Sequence, residues 1–442
     1  MPAKNLFRTK KSSPKRAAGR HADVEATGFD GTGGNHLKTG DKTMNYIIER
    51  AQLRQSQLAD LIEEACQHLE PSSYQREVAQ QRYEGVGDWL SQSDDPLLAE
   101  IAIRLQGSVA IGTTVKPIGI AEYDVDLVAH VPDIDTAISP AMLKARIGDR
   151  LRANGHYAPL LLEMPRCWRL NYANEFHLDI TPSIPNPGCT LGGELVPDKT
   201  LKSWKASNPM GYRAKFERRA KLRARIRSAF GRTLASTIAK DSVEPYPEQM
   251  KLKGLLRRTV QIAKRHRDLE FIGDADGVAP LSIIITTLTS RAYEFCVGNV
   301  VYDHELDLIV DLLRRMPDMI ETRVTDASAE WYLWNQTTKG ENFCEKWNKH
   351  PERAVAFFEW HIKLIADIER LAAAEGLDDV RRLLGDVVGR TPANAALDAL
   401  TARLSTARTG NKLSVTKPAG LILGTTVGAT PVRSNTFFGD AR

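Results

Sequence analysis

The chain has 442 residues, of which 42% are hydrophobic, 26% charged and 7% aromatic. This length predicts two or three domains, and the composition excludes a fibrous or wholly disordered protein. The longest apolar run, residues 278–289, is shorter than the roughly 20 residues that span a membrane, and no apolar segment follows the basic N-terminus as in a secretory signal. We therefore expect a cytoplasmic protein without a membrane span.

The net charge of +5 resides in residues 1–42, which contain nine lysine and arginine residues against four aspartate and glutamate residues. This composition predicts a disordered basic tail, with nucleic-acid tethering as the alternative. The five cysteines are widely separated and form no Cys-x-x-Cys pair. They indicate reduced structural thiols rather than disulfides or a zinc site.

After the tail, hydrophobic periodicity predicts a mixed α/β part over residues 43–210. It begins with a long amphipathic helix that ends at Pro71. Further helices are expected over 74–90 and 97–105. Short strands follow, of which the most important are 123–131, 167–172 and 175–181.

Residues 211–404 are predicted to form an all-α part. The helices expected there are 212–230, 248–269, 280–297, 304–316, 351–374 and 377–384. Beyond residue 405 the sequence is dominated by small and polar residues. We expect a flexible C-terminal tail over 405–442.

A strand around Asp124 and Asp126 places both carboxylates on one face, because side chains alternate along a strand. Their α-carbons would lie about 6–7 Å apart, close enough for both to bind cations spaced ~3.5–4 Å. The strand that contains Asp179 would add a third carboxylate. Clustered carboxylates repel one another unless a cation lies between them, and Mg²⁺ is the natural occupant. Alternating acids on a solvated strand are the alternative.

Gly107 and Ser108 precede these acids in a short turn. Glycine permits close approach of the backbone to a phosphate, and serine adds a hydroxyl donor to the backbone N–H groups at a helix start. No Gly-Lys-Ser/Thr follows, so the sequence lacks a P-loop. A simple turn is the alternative interpretation.

The order Gly107-Ser108, Asp124-x-Asp126 and Asp179 is that of the polymerase-β-type nucleotidyltransferases. Over roughly residues 45–385 the chain resembles the bacterial cGAS/DncV-like nucleotidyltransferases (CD-NTases). Four further segments carry this resemblance: 207–212, 263–268, 279–284 and 340–347. The resemblance implies a bilobal α+β molecule in which a mixed sheet flanked by helices forms the nucleotidyltransferase core, and an all-α C-terminal domain closes the active-site cleft.

The resemblance also implies roles for the three aspartates. Asp124 and Asp126 would bind two Mg²⁺ ions, with Mn²⁺ as a substitute. Asp179 would bind one of these ions and orient the acceptor hydroxyl. All three are therefore expected to be catalytic and metal-binding residues.

Nucleotide contacts are expected from six residues: Gln106, Gly107, Ser108, Arg169, Lys264 and Ser282. Besides Gly107 and Ser108, the other four also have a structural alternative. Gln106 would instead bond backbone groups, and Arg169 would form a cross-strand ion pair. Lys264 would lie on a solvated helix face, and Ser282 would cap a helix without a ligand.

The implied function is the joining of ATP, GTP or both into a cyclic di- or trinucleotide second messenger, with release of pyrophosphate, in anti-phage (CBASS) signalling. The implied partners are nucleoside triphosphates, an effector activated by the product, and ubiquitin-like conjugation machinery at the C-terminus. Neither nucleic acid nor a membrane is an expected partner. Two alternatives are a linear nucleotidyltransferase that tails RNA or adenylylates a substrate, and a non-catalytic nucleic-acid-binding protein with this fold.

Overall fold

The computed structural model describes residues 54–55, 57–119, 122–172, 175–227, 253–324, 329–416, 420–423 and 429–432. All of these residues belong to one compact unit. The predicted basic tail over residues 1–42 lies outside the described ranges, and the domain boundary at residue 210 stays a prediction.

The first part of the described chain is a seven-stranded mixed sheet with helices packed against it. Its helices are α1 (57–69), α2 (Ser73–Ser91), α3 (Gly107–Ala110) and α4 (Pro140–Arg152). Its strands are β1 (Ala102–Gln106), β2 (Tyr123–His130), β3 (Leu161–Glu163), β4 (Trp168–Tyr172), β5 (Phe176–Pro185), β6 (Glu194–Pro197) and β7 (Trp204–Ser207). The strand order is β1-β2-β5-β4-β3, and β6 joins β5 to β7.

The centre of this sheet is the parallel pair β2 and β5, whereas all its other strand pairs are antiparallel. Val125 and Leu127 of β2 are fully buried, as are Leu178 and Ile180 of β5. They belong to one hydrophobic core with residues of α2 and α4. Because side chains alternate along a strand, the residues between them point to the opposite face of the sheet.

The second part is mostly helical. Its helices are α5 (Pro209–Ala220), α6 (Leu255–Glu270), α7 (Ser282–Asn299), α8 (Glu305–Arg314), α9 (Glu345–Lys349), α10 (Glu352–Ala373), α11 (Leu377–Val388) and α12 (Arg390–Thr409). Small sheets accompany them: β8 (Arg225–Ile226) with β9 (Val301–Tyr302), β10 (Glu321–Val324) with β11 (Ala329–Tyr332), and β12 (Leu413–Thr416) with β13 (Gly420–Leu423) and β14 (Thr430–Pro431). The predicted α+β class, with a mixed sheet followed by a helical part, is confirmed.

Three sequence-based predictions of local structure are wrong. The helix expected over 212–230 ends at Ala220 as α5, and Arg225–Ile226 form the strand β8 instead. Residues 97–105 are not a helix: a turn leads into β1, where Ile103 and Leu105 are buried and their neighbours are less so. This period of two reflects pairing with β2. At the other end, α12 continues to Thr409 and three short strands follow, where a flexible tail is expected from residue 405. The buried face of α12 includes Ala393 and Ala396, which give a weak hydrophobic pattern.

Helix α1 packs against α6 through buried ion pairs. Arg258 of α6 donates Nε to Glu63 Oε2 at 2.8 Å, and its Nη1 donates to Glu70. Lys253 Nζ lies 2.9 Å from Glu70 Oε2. Removing one member of such a group leaves buried charges without compensation.

We expect Arg258→Met to lower the free energy of unfolding by about 3 kcal/mol, because Glu63 and Glu70 lose their shared cation. Urea denaturation followed by circular dichroism measures the change. The matched control is Arg403→Met, which removes an exposed ion pair between α12 and Glu64 of α1. It should lower the free energy of unfolding by about 1 kcal/mol or less. Equal losses in the two variants would contradict the prediction.

Among the helices that the structure describes, none is both long and apolar enough to cross a bilayer.

Candidate active site

The three predicted catalytic aspartates lie together on one face of the sheet. The parallel register of β2 and β5 pairs Asp126 with Asp179, and Asp124 lies two residues earlier on β2. Asp124 is exposed, whereas Asp126 and Asp179 are half-buried. We call these three residues the acid cluster.

The electrostatics of the acid cluster favour a bound cation. Burial, followed by the neighbouring charges of Asp124 and Asp179, raises the pKa of Asp126 to about 6. A divalent cation would relieve this repulsion, and carboxylate oxygens are the ligands that hard cations prefer. The donor set of the acid cluster therefore fits a divalent metal ion.

Arg169 of β4 pairs with the acid cluster. Its Nε and Nη2 donate to the two carboxylate oxygens of Asp179 at 2.6 and 2.7 Å, and Nη2 also donates to Asp124 Oδ1 at 3.3 Å. These bonds raise the pKa of the guanidinium above its ordinary value. His177 lies between Asp124 and Glu122, with its Nε2 2.5 Å from Glu122 Oε2. The structure thus contains the cross-strand ion pair that is the alternative to a nucleobase contact for Arg169, and the nucleobase contact stays a prediction.

This ion pair has a consequence for metal binding. Across the described residues, no group of three or more histidine, cysteine, aspartate or glutamate side chains is already arranged around a metal position. Both oxygens of Asp179 accept hydrogen bonds from Arg169. A metal ion at Asp179 would therefore have to compete with the guanidinium, whereas no described residue donates such a hydrogen bond to Asp126.

The Gly107-Ser108 turn lies directly against the acid cluster. Gly107 follows β1 and has φ +66°, a conformation that favours glycine. A Cβ atom on Gly107 would lie 2.2 Å from Asp126 Oδ2. Ser108 is in α3, and Thr114 Oγ1 lies 3.5 Å from its Oγ. Gln106 Nε2 makes a long contact of 3.5 Å to the Leu127 carbonyl oxygen, as its structural alternative proposes.

A cavity of about 980 Å³ opens beside this turn. Its volume is at the upper end of the range for small-molecule sites. Seven of the predicted site residues line it: Gln106, Gly107, Ser108, Asp124, Asp126, Lys264 and Ser282. The other two predicted site residues, Asp179 and Arg169, are not among the lining residues.

The structure shows neither a solvated Lys264 nor a helix-capping Ser282, which were their structural alternatives. Lys264 is buried rather than solvated, and its Nζ donates to the Thr113 carbonyl oxygen at 3.0 Å. Burial lowers the pKa of this ammonium to about 8. Ser282 is the first residue of α7 but makes no capping bond, and its Oγ accepts a hydrogen bond from Arg267 Nη2 at 3.2 Å. Both side chains therefore contribute polar groups to the cavity wall.

Helix α6 holds the segment that follows the Gly107-Ser108 turn. Four of its side chains donate to backbone carbonyl oxygens of residues 111–116, at 2.9 to 3.1 Å: Arg257 to Ile111, Lys264 to Thr113, Gln261 to Thr114 and Arg265 to Lys116. We call this arrangement the α6 clamp. Its members recur at helical spacing, which is a signal in the sequence, but nothing in the sequence identifies backbone carbonyls as their partners.

Sequence reasoning assigned no nucleotide contact to several other cavity residues. They are Tyr212 of α5, Arg267 and Asp268 of α6, and Asn335, Glu341 and Phe343 of the segment before α9. Tyr212, Arg267, Asp268, Glu341 and Phe343 lie in segments that carry the family resemblance, which is the one signal that could have found them.

Comparisons with known proteins agree with this geometry. Residues 57–219 match the family model of the Second Messenger Oligonucleotide or Dinucleotide Synthetase domain. A protein of Roseivirga ehrenbergii named c-di-GMP synthase is 31% identical over 366 residues, which cover 81% of this chain and 91% of that protein. The cyclic dinucleotide synthase CdnG of Bradyrhizobium diazoefficiens is 25% identical over 82% of this chain and 90% of its own length.

A similar fold occurs in the solved structure of the Bradyrhizobium diazoefficiens CD-NTase CdnG in complex with GTP. It superposes with a TM-score of 0.56 at 17% identity, over 78% of this chain and 99% of that chain. The order of Gly107-Ser108 and the three aspartates along the chain, the position of Asp124 and Asp126 at the cavity, and the extent of the sequence similarity indicate the same family. The chain belongs to the bacterial cGAS/DncV-like nucleotidyltransferases, the CD-NTases.

Proposed function

We propose that this chain is a Mg²⁺-dependent synthase that joins GTP, alone or with ATP, into a cyclic dinucleotide with release of pyrophosphate. The observation that carries the proposal is the position of Asp124 and Asp126 at the edge of the cavity, against the Gly107-Ser108 turn. The similarity to a relative named c-di-GMP synthase supports a cyclic product and GTP as a substrate.

The acid cluster would hold the metal ions. Bound there, Mg²⁺ would activate the attacking ribose hydroxyl and stabilise the departing pyrophosphate. Asp124 and Asp126 provide carboxylates at the cavity, and Asp179 adds a third beside them. Arg169 holds the Asp179 carboxylate in a fixed orientation, because it donates one hydrogen bond to each of the two carboxylate oxygens.

The Gly107-Ser108 turn and the cavity wall would bind the phosphates. Gly107 lets the backbone approach closely, and Ser108 offers a hydroxyl beside it. Lys264 supplies positive charge next to the Thr113 carbonyl, which fixes the position of its ammonium. A donor triphosphate held by these groups would present its α-phosphate to the acid cluster.

The test is incubation of the purified protein with the four labelled ribonucleoside triphosphates and Mg²⁺ or Mn²⁺. We expect pyrophosphate and a cyclic dinucleotide that contains guanosine, identified by mass and by nuclease P1 digestion. A cyclic product resists phosphatase, whereas a linear chain with a 5′-triphosphate does not. Chelation of the metal with EDTA should stop the reaction, and excess Mg²⁺ should restore it.

Linear products alone would replace this proposal by a linear nucleotidyltransferase. The absence of any product from all four nucleotides with either metal would overturn it.

The proposal extends to the biological setting. Such an enzyme would work in the cytoplasm, where its product would activate an effector in anti-phage signalling. The C-terminal residues 433–442, where conjugation to ubiquitin-like machinery is predicted, lie outside the described ranges. Mass spectrometry of the chain isolated from infected cells tests that part, since an intact and unmodified Arg442 terminus would contradict conjugation.

A further inference from the structure

The cavity contains five carboxylates among its described lining residues, and they have different partners. Glu122 pairs with His177, while Asp124 and Asp126 belong to the acid cluster. Asp268 accepts from Arg267 Nε at 2.7 Å. Glu341 pairs with no cationic side chain in the described part of the chain, and its role is not explained by metal or phosphate binding.

Positions along helix α7 show where the polar groups of the cavity lie relative to one another. Ser282 begins this helix, at the end where Arg267 and Lys264 supply positive charge. Thr286 and Thr287 follow four and five residues later, which is about 6–7.5 Å along the axis. Thr286 lines the cavity, and Thr287 Oγ1 lies 2.9 Å from the Tyr212 hydroxyl. The part of the cavity beside Ser282, Arg267 and Lys264 is cationic and suits phosphates. The part beside Thr287 and Tyr212, which we call the Tyr212 end, lies about one helical turn further along α7.

The Tyr212 end has the character of a base-binding site. Tyr212 and Phe343 both line the cavity, with their ring centroids 6.2 Å apart at 82°. Aromatic side chains provide flat apolar surfaces for a nucleobase. Glu341 lies two residues before Phe343 and lines the same cavity. A base packed against these rings would therefore meet the Glu341 carboxylate.

The Glu341 carboxylate is held in a defined position. Asn335 Nδ2 donates to Glu341 Oε2 at 2.7 Å, and the Asn335 backbone N–H donates to the Glu341 carbonyl oxygen at 2.8 Å. Asn335 Oδ1 accepts from the backbone N–H and hydroxyl of Thr337, both at 2.9 Å, so its amide donors face Glu341. Asn208 Nδ2, in turn, donates to the Thr337 carbonyl oxygen at 3.1 Å. Glu341 Oε1 has no hydrogen-bond partner within the described residues.

We propose that Glu341 is a specificity-determining residue that accepts hydrogen bonds from the base edge of guanine and rejects adenine, a proposal that rests on the proposed function. An ionised carboxylate is an acceptor only. Guanine presents two donors on one edge, N1–H and the N2 amino group. Adenine presents the acceptor N1 and a carbon-bound hydrogen there, so its N1 lone pair would face a carboxylate oxygen. A site built to pair donors rejects a base that lacks them.

Nucleotide analogues test this contact in the unmodified protein. The probes are uncleavable α,β-methylene analogues of GTP, ATP, ITP and 7-deaza-GTP, measured by competition with a fluorescent guanosine analogue in the presence of Mg²⁺. We expect ITP, which lacks the N2 amino group, to bind about tenfold more weakly than GTP, and ATP more weakly still. The 7-deaza compound alters the opposite side of the base and should bind like GTP. Equal affinities for GTP and ITP would overturn the proposal.

Matched variants complete the experiment. Glu341→Gln replaces one acceptor oxygen with an amide donor that adenine N1 can accept, so the ratio of GTP to ATP affinity should fall at least tenfold. Asp268→Asn neutralises the other candidate carboxylate of the cavity and should leave this ratio within threefold. A shift with Asp268→Asn, or an unchanged ratio with Glu341→Gln, overturns the assignment.

These measurements distinguish a failure of the proposed Glu341 contact from a failure of the proposed function. A protein that prefers guanine in binding but makes no cyclic product contradicts the proposed function and leaves the contact intact. A protein that makes cyclic products but binds the GTP and ITP analogues equally contradicts the role of Glu341 alone. If Glu341→Gln does not fold, the analogue series in the unmodified protein decides the question.

Discussion

Replacement of both Asp124 and Asp126 by asparagine is expected to reduce pyrophosphate release at least about 10³-fold, because the two carboxylates of the acid cluster that line the cavity are lost. The measurement is pyrophosphate released from GTP with Mg²⁺ under steady-state conditions. The fold should survive the change. Burial and like charges raise the pKa of Asp126, so a neutral side chain at this position removes repulsion rather than stabilising contacts.

The control for this variant is Asp133→Asn, an exposed carboxylate three residues after the end of β2. It should retain full activity. The melting temperature of the double variant should equal or exceed that of the unmodified protein, which separates lost chemistry from lost structure. Retained activity in the double variant would remove the acid cluster from the mechanism and favour a binding protein with this fold.

The substitution Gly107→Ala is expected to lower the turnover number about 100-fold or more. The new Cβ would lie 2.2 Å from Asp126 Oδ2, far inside van der Waals contact, and the φ of +66° is strained for alanine. Either the turn or the Asp126 carboxylate must move. A displacement of about 1 Å at a reacting centre costs about two orders of magnitude in rate.

Gly298→Ala is the matched control for this variant. Gly298 is exposed near the end of α7, and a Cβ there meets nothing within 4 Å. This control should keep its activity and gain slightly in stability, since alanine favours helix. Equal activity of Gly107→Ala and Gly298→Ala would show that the turn does not need its close approach to Asp126.

The placement of Asp124 and Asp126 on one face could be predicted from the sequence because its signal is local. Strand alternation places Asp124 and Asp126 on one face, and their order with Gly107-Ser108 identifies the family. The pairing of Asp126 with Asp179 is a property of the β2–β5 register, which no local pattern defines. In the segment 97–105 the local pattern was misleading. A helix was predicted there, but pairing with β2 makes Ala102–Gln106 the strand β1.

Partners of charged side chains were much harder to predict than their positions. Arg169 was a candidate for a base or an ion pair, and the choice depends on Asp179 of the neighbouring strand. Lys264 was expected to be either a phosphate ligand or a solvated residue, yet it is buried against a backbone carbonyl. Glu341 carries no catalytic motif, and its position follows from a loop that Asn335 and Asn208 organise. Such contacts arise from tertiary packing and not from periodicity.

The α6 clamp limits how nucleotides enter and leave. Any widening of the cavity that carries α6 away from the sheet would break four side-chain bonds to residues 111–116 together. Such a step is costly, because each carbonyl would lose its donor at once. We therefore expect substrate entry and product release to depend on parts of the cavity wall that the α6 clamp does not hold. Helix α6 and residues 111–116 should move together.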